Sequence, residues 1–383
     1  MPINFKIFSK LPSEFAMKCI SLVFILSLSI VTTAVLAQER AIPYISPFET
    51  PYKRSLVGEW EGTLQNRTPL RLTISACDEN VSGFYSVENE FTTIEMTGVW
   101  KDDKTLVMHA ITDESKEGAM TVTIHEDHLE GHWLNYGNTP HTFKVRSVKL
   151  GAAELQPIRY YNEKCPSMDT AKIAEEEIYW GCSYKNLNAL YLLGSNEEIS
   201  KRVNNIIADA VGLFDGTGYS GIDMELNSIN SAFQNGEYQD DLWQETVIFT
   251  PVLNRSNILV LRMNTTQFAG GSPQLFNYYL NFDLETGRKL ELKDILKPNY
   301  QNDLIPIFIE SLKISNYDYP FEFSLDDFTI SDNFFIQSDG LYLVYRGYDL
   351  GVPVQIIEVR IPYEFLYDLL LPINIVGRVV TNY

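Results

Sequence analysis

Between residues 55 and 149 the chain alternates apolar and polar side chains in eight short runs, a pattern that leaves few architectures open. The runs cover 57–64, 70–77, 81–87, 94–100, 105–111, 119–124, 129–134 and 141–148. A period of two sends successive side chains to opposite faces of an extended strand, so each run has one face to bury and one to wet. Polar turns such as Lys101-Asp102-Asp103-Lys104 and Glu126-Asp127 separate them. Eight strands at this spacing predict an antiparallel meander. Rolling it into a barrel removes the two exposed edges, so an all-β antiparallel meander barrel is expected over residues 55–150.

Four pieces set a glycine beside an aromatic ring: Gly58-Glu59-Trp60-Glu61-Gly62, Gly83-Phe84-Tyr85, Gly98-Val99-Trp100 and Gly131-His132-Trp133. In this the segment resembles the small lipocalin-like β-barrel domains of bacterial envelope proteins. Interior side chains of a small barrel either fill the lumen or leave room for one ligand. Trp60, Tyr85, Trp100 and Trp133 are therefore the candidate lining of a pocket for a small apolar or glycan ligand, and equally the candidate core. His125-x-x-His128-x-x-x-His132 crosses a predicted turn. Only alternate residues of a strand share a face, so these side chains converge only if the turn folds them together. No metal ligand and no cofactor is assigned from the sequence.

Residues 151–383 read differently. Residues 151–190 have no clear period. Ser195-Asn196-Glu197-Glu198 reads as a capping box ahead of Ile199, Val203, Ile206, Ile207 and Ala210 at helical spacing. Strands are expected at 246–253, 258–264, 334–337, 341–345 and 354–361, with a connection over 265–274. A helix is expected over 303–312 and another from Pro362, since proline suits a first helical position. Phe282 and Leu284, then Glu285-Thr286-Gly287, then Leu290 and Leu292 read as strand, turn, strand. Helices alternating with strands in this order predict an α+β domain with helices packed on an antiparallel sheet.

The run from Asn277 through Leu296, with Gly270-Gly271-Ser272-Pro273 upstream and Asp339-Gly340-Leu341-Tyr342 downstream, resembles the extracytoplasmic C-terminal domain of RsiV-type anti-sigma factors. The resemblance covers about 185–371. It implies a domain that binds a lysozyme-like enzyme, and it matches Tyr348-Asp349-Leu350-Gly351-Val352-Pro353 to the family's aromatic loop, which makes Tyr348 and Asp349 the candidate partner-binding residues. Relatives often carry Gly-Gly-Ala-His where this chain has Gly270-Gly271-Ser272-Pro273, so a role for that histidine is not carried over. The deacetylase domain that accompanies some relatives is not expected, nor is a sigma-binding region within the first 16 residues.

Residues 20–37 are apolar, follow Lys18 and end Val35-Leu36-Ala37. They read as a secretory signal peptide within residues 1–37, with Met17 an alternative start, and as a membrane anchor only if left uncleaved. Residues 38–54, rich in proline and aromatics without a period, read as a linker. Export to the periplasm, cell surface or medium permits disulfides, and Cys165 and Cys182 are spaced for a clip. Cys77, inside a predicted strand, reads as a small buried residue.

The formal charge is -20, and residues beyond 150 hold 16 basic against 32 acidic side chains. That excess is wrong for a polyphosphate backbone, so nucleic acid is excluded as a partner. It favours a cationic protein or cell-wall component. All five histidines precede residue 151, so nucleophilic triads have no base in the C-terminal half. Asp223 and Glu225 stand two apart, as a glycosidase pair on one strand face would. The combined expectation is a non-catalytic envelope binding protein. Ligand carriage by the barrel comes second and carboxylate-based glycoside hydrolysis third.

Overall fold

The computed structural model describes residues 52–65, 67–87, 90–111, 118–134, 139–149, 151–164, 183–194, 196–211, 244–268, 273–314, 328–352, 356–372 and 375–380. Its first eight strands are β1 (Ser55–Leu64), β2 (Pro69–Cys77), β3 (Asn80–Val87), β4 (Glu90–Asp102), β5 (Thr105–Ala110), β6 (Ala119–Ile124), β7 (Leu129–Leu134) and β8 (Pro140–Ser147). Each pairs antiparallel with the next, and β8 returns to β1 through Trp60↔Ser147 to Leu64↔Phe143, closing the barrel. The predicted meander and its closure are both present.

The alternation explains what fills the lumen. Leu70, Leu72, Ile74 and Ala76 of β2, Leu106 and Met108 of β5, Met120 and Val122 of β6 and Phe143 and Val145 of β8 share one buried cluster. The glycine–aromatic pieces also gain a physical cause. A Cβ at Gly131 would lie 1.8 Å from the Thr121 carbonyl oxygen, and one at Gly98 would lie 2.3 Å from that of Val107. The tightly coiled wall brings the neighbouring backbone against these positions, and only a glycine leaves room.

The remaining elements are β9 (Glu154–Lys164), β10 (Ser183–Leu193), α1 (Glu197–Ala210), β11 (Gln244–Arg255), β12 (Ile258–Phe268), β13 (Gln274–Asp283), β14 (Arg288–Lys289), α2 (Tyr300–Ile314), β15 (Phe334–Gln337), β16 (Gly340–Arg346), β17 (Ile356–Ile361), α3 (Tyr363–Leu366) and α4 (Val376–Val380). They build a six-stranded sheet in the order β14-β13-β12-β11-β10-β9 and a three-stranded sheet β15-β16-β17. Alternation again sorts the faces. Leu259, Leu261 and Phe282 pack with Val203 and Ile207 of α1. Their neighbours Ile258, Val260 and Tyr279 pack with Leu304 and Phe308 of α2 and with the three-stranded sheet.

Several expectations are corrected. One antiparallel sheet was expected, but there are two, and β10 runs parallel to β11 from Tyr184↔Gln244 to Asn188↔Ile248. A parallel pair needs a long crossover, and α1 lies within it. The unreadable stretch 151–190 supplies β9 and β10, which pair antiparallel. The connection expected over 265–274 is strand at both ends, because β12 runs on to Phe268 and β13 starts at Gln274; residues 269–272 lie outside the described residues. Asn196, not Ser195, caps α1, its side chain accepting from the Ile199 amide at 3.2 Å. The second arm of the 282–292 hairpin shrinks to the two residues of β14. Asp294 accepts from the Glu291 amide at 2.9 Å and turns the chain into a 3-10 helix, Leu292–Asp294, so Leu292 enters the core from a helical turn. Likewise the last predicted helix is a single turn, with Pro362 as its cap.

The barrel is not an appendage. Its β1, β2 and β3 pack across β11, so the outward-facing Thr73 and Ser75 of β2 are buried as well as its inner face. Ser75 Oγ donates to the Phe249 carbonyl at 3.3 Å, and the Ser82 and Thr250 hydroxyls meet at 2.8 Å. Among the described residues no helix is long and apolar enough to cross a membrane. Residues 20–37 lie outside them, as do Cys165, Cys182, Asp223 and Glu225.

Candidate binding surface

Two ionic clusters fasten the barrel to the six-stranded sheet. At the first, Glu59 accepts from Arg255 Nε at 2.5 Å and from the Asn254 amide at 2.6 Å. Both side chains of that ion pair are almost fully buried, and Arg255 also reaches Glu61 at 3.0 Å. Asn254 closes on the connecting backbone: its amide nitrogen donates to the Ala153 carbonyl at 2.8 Å and its oxygen accepts from the Ala153 amide at 2.7 Å. At the second, Arg262 donates to Glu95 at 2.5 Å while its guanidinium lies 4.8 Å from the centre of the Phe84 ring. The nearby Tyr279 hydroxyl donates to Glu358 at 2.5 Å. Burial pushes the Glu358 carboxyl above the usual range, although the Tyr279 hydrogen bond and the Arg262 charge pull the other way.

Apart from the buried Arg262 Nε, which has no hydrogen-bond partner among the described residues, these groups partner one another, which is the arrangement of a structural joint. The cleft beside them, lined among others by Glu59, Arg71, Phe84, Tyr85 and Gln337, measures about 20 Å³. That volume suits a water molecule, not an organic ligand.

The four candidate barrel rings do not come together. Trp133 and Tyr85 meet edge-on with centroids 5.9 Å apart, close to the ends of β7 and β3. Trp100 lies near the opposite rim, two residues before the β4–β5 turn, and is only part-buried under the Arg54 guanidinium 5.4 Å from its ring centre. Trp60 stands in mid-strand beside Leu72. Between them lie the aliphatic and methionine side chains of the barrel core. Cys77 is a buried free thiol, and desolvation lifts its pKa to about 12.

Tyr348 and Asp349 are placed quite differently. Arg346 ends β16, and a 3-10 turn, Gly347–Leu350, follows. Its closing residue Gly351 sits at φ 79, a left-handed conformation that glycine adopts without steric cost. The Val352 amide donates to the Gly347 carbonyl at 2.7 Å, and Leu350 and Val352 are buried at 0% and 2% exposure. With the turn pinned at both ends, Tyr348 is held 70% exposed. Asp349 accepts from the Arg346 amide at 3.2 Å, and the same carboxylate oxygen, in a half-exposed side chain, lies 3.7 Å from the Arg346 guanidinium.

The start of β13 lies at the same end of the three-stranded sheet. Asn333 joins them: its side chain binds the Asn277 carbonyl and the Tyr279 amide, and its own carbonyl accepts from Val344. Leu275, on the same face of β13 as Asn277 and Tyr279, is exposed at that end, whereas exposed Tyr278 points to the opposite face, stacked on Phe276. Sequence reading missed them because their alternation matches that of an ordinary strand.

No known protein-family profile matches this chain, and no curated protein matches it. Two solved structures superpose on part of the chain. A DUF3298 family member from Bacteroides fragilis superposes with a TM-score of 0.49 and 19% identity, covering 61% of this chain and 100% of its own. A DUF3298 family protein from Pseudomonas aeruginosa gives 0.41 and 14%, covering 58% of this chain and 97% of its own. Neither likeness assigns a residue a role.

Proposed function

We propose that this is a non-catalytic, extracytoplasmic binding protein of the bacterial envelope whose acidic C-terminal domain engages a cationic or cell-wall-related partner, a lysozyme-like enzyme among the candidates. The observation that carries the reading is the turn Gly347–Leu350, which holds Tyr348 70% exposed beside a half-exposed Asp349. A large ring fixed outward loses little conformational freedom on binding, and tyrosine is enriched among residues that dominate interfaces. The 32 acidic against 16 basic residues beyond position 150 supply the long-range attraction. The resemblance of that half to RsiV-type domains and the apolar leader at 20–37 support the partner class and the location.

Calorimetry of residues 38–383 against a cationic lysozyme, at low and moderate salt, tests this. Saturable binding of defined stoichiometry that survives moderate salt is expected, and Tyr348→Ala should weaken it by about 2 kcal/mol, roughly thirtyfold. No binding, or weak binding abolished by salt and indifferent to Tyr348, overturns the proposal.

A further inference from the structure

The barrel carries a second feature, on its surface at the turn between β6 and β7. We infer that His125, His128 and Glu130 form a site for a zinc-class divalent metal ion. The His125 amide donates to the His128 carbonyl at 3.0 Å, closing the turn and drawing the two imidazoles together with centroids 4.5 Å apart. Glu130, two residues into β7, faces outward beneath them, since Leu129 on one side of it is buried in the lumen.

The donor atoms converge. His125 Nε2 lies 3.1 Å from Glu130 Oε1, and His128 Nε2 lies 3.5 Å from Glu130 Oε2. One ligand atom from each of the three residues falls within 4.8 Å of the others. Metal–ligand bonds of about 2.0–2.2 Å in tetrahedral geometry put neighbouring donors about 3.3–3.6 Å apart, so small side-chain adjustments complete the set. Two imidazoles with one carboxylate suit zinc, cobalt or nickel over calcium or magnesium, which prefer oxygen throughout.

A supporting group is also in place. Asp127 Oδ1 lies 2.6 Å from His128 Nδ1, so a proton on Nδ1 is held there and Nε2 is presented as the free lone pair. His132 does not take part. It shares the outer face of β7 with Glu130, but it lies four residues beyond His128, about 13 Å along an extended chain. Three protein donors leave a fourth position for water or for a side chain of a partner. Lys144, opposite Glu130 on β8, is the nearest cation in the register that competes for that carboxylate.

Zinc titration of residues 38–383, prepared without a polyhistidine tag and monitored by competition with a chromogenic chelator, tests the site. One ion per chain is expected, and cobalt should give the intense visible spectrum of a four-coordinate ion. His125→Ala, His128→Ala and Glu130→Gln should each weaken uptake tenfold or more, and Asp127→Asn about tenfold. His132→Ala and His109→Ala should leave it unchanged. Because all these side chains lie outside the barrel core, the metal-free melting temperature verifies that each variant is folded. The inference is overturned if no stoichiometric uptake occurs, if uptake ignores the three ligand substitutions, or if His132→Ala abolishes it.

Discussion

Replacing Arg255 by methionine tests whether the barrel and the six-stranded sheet fold as one unit. In the native protein the Arg255 and Glu59 side chains are 5% and 3% exposed and share a 2.5 Å hydrogen bond. Methionine fills much of the same volume but leaves the Glu59 carboxylate buried, with the Asn254 amide as its remaining partner at the seam. Breaking a buried pair from one side costs about 3–5 kcal/mol, most of it the penalty of the stranded charge. The lost contact to Glu61, whose side chain is 55% exposed, adds at most about 1 kcal/mol. For a protein of this size the total corresponds to a drop in melting temperature of roughly 4–8 °C. Glu59→Met in the same chain removes the stranded charge, so the double variant should recover much of the loss. Urea unfolding followed by both tryptophan fluorescence and far-ultraviolet dichroism reads the energy and the cooperativity together. Because the pair sits at the seam, the single variant should also separate the two transitions. If Arg255→Met lies within about 1 kcal/mol of the parent, or the double variant is no better than the single, the seam does not hold the protein together as argued.

Two further outcomes follow from buried ionisable groups. Cys77, its pKa lifted to about 12 by burial, should resist alkylation by iodoacetamide at pH 8 in the native protein and react readily in urea; rapid native labelling would show that the β2 end opens. The Glu358 carboxyl, raised by burial above its ordinary 4.5, binds its proton more tightly when folded than when unfolded, so its contribution to stability is fully present below about pH 4.5 and declines as pH rises through the raised value. Glu358→Gln should therefore gain stability relative to the parent between pH 4 and pH 8 in paired denaturant titrations, and a difference that stays constant or reverses would refute the assignment.

Much of the architecture was legible in local patterns. The eight runs between 57 and 148 became the barrel because a two-residue period is a property of the extended backbone itself. The expected strand at 334–337 is β15, residue for residue, and α2 extends the expected 303–312 by a turn or less at each end. Where local signals misled, a neighbouring group had overruled them. Leu290 and Leu292 continue a strand period, but Asp294 captures the Glu291 amide and starts a helical turn. Ser195 was the expected cap, yet Asn196 is the residue whose side chain reaches the Ile199 amide.

The candidate sites were less legible, because each depends on groups far apart in sequence or on which face is left uncovered. Trp60, Tyr85, Trp100 and Trp133 look alike in the chain, whereas barrel curvature brings Tyr85 to Trp133 and leaves Trp100 near the other rim. Tyr348 resembles any loop tyrosine until burial of Leu350 and Val352 fixes it outward. By itself the sequence determined the strand periods, the turn positions and the acidic excess beyond residue 150, all set by side-chain order along the backbone. Only the tertiary structure decided that β10 lies parallel to β11, that Glu59 meets Arg255 across 196 residues, and that His125 and His128 close on Glu130 and not on His132. Such pairings are chosen by which faces meet once the apolar surfaces are buried, and no local period encodes that choice.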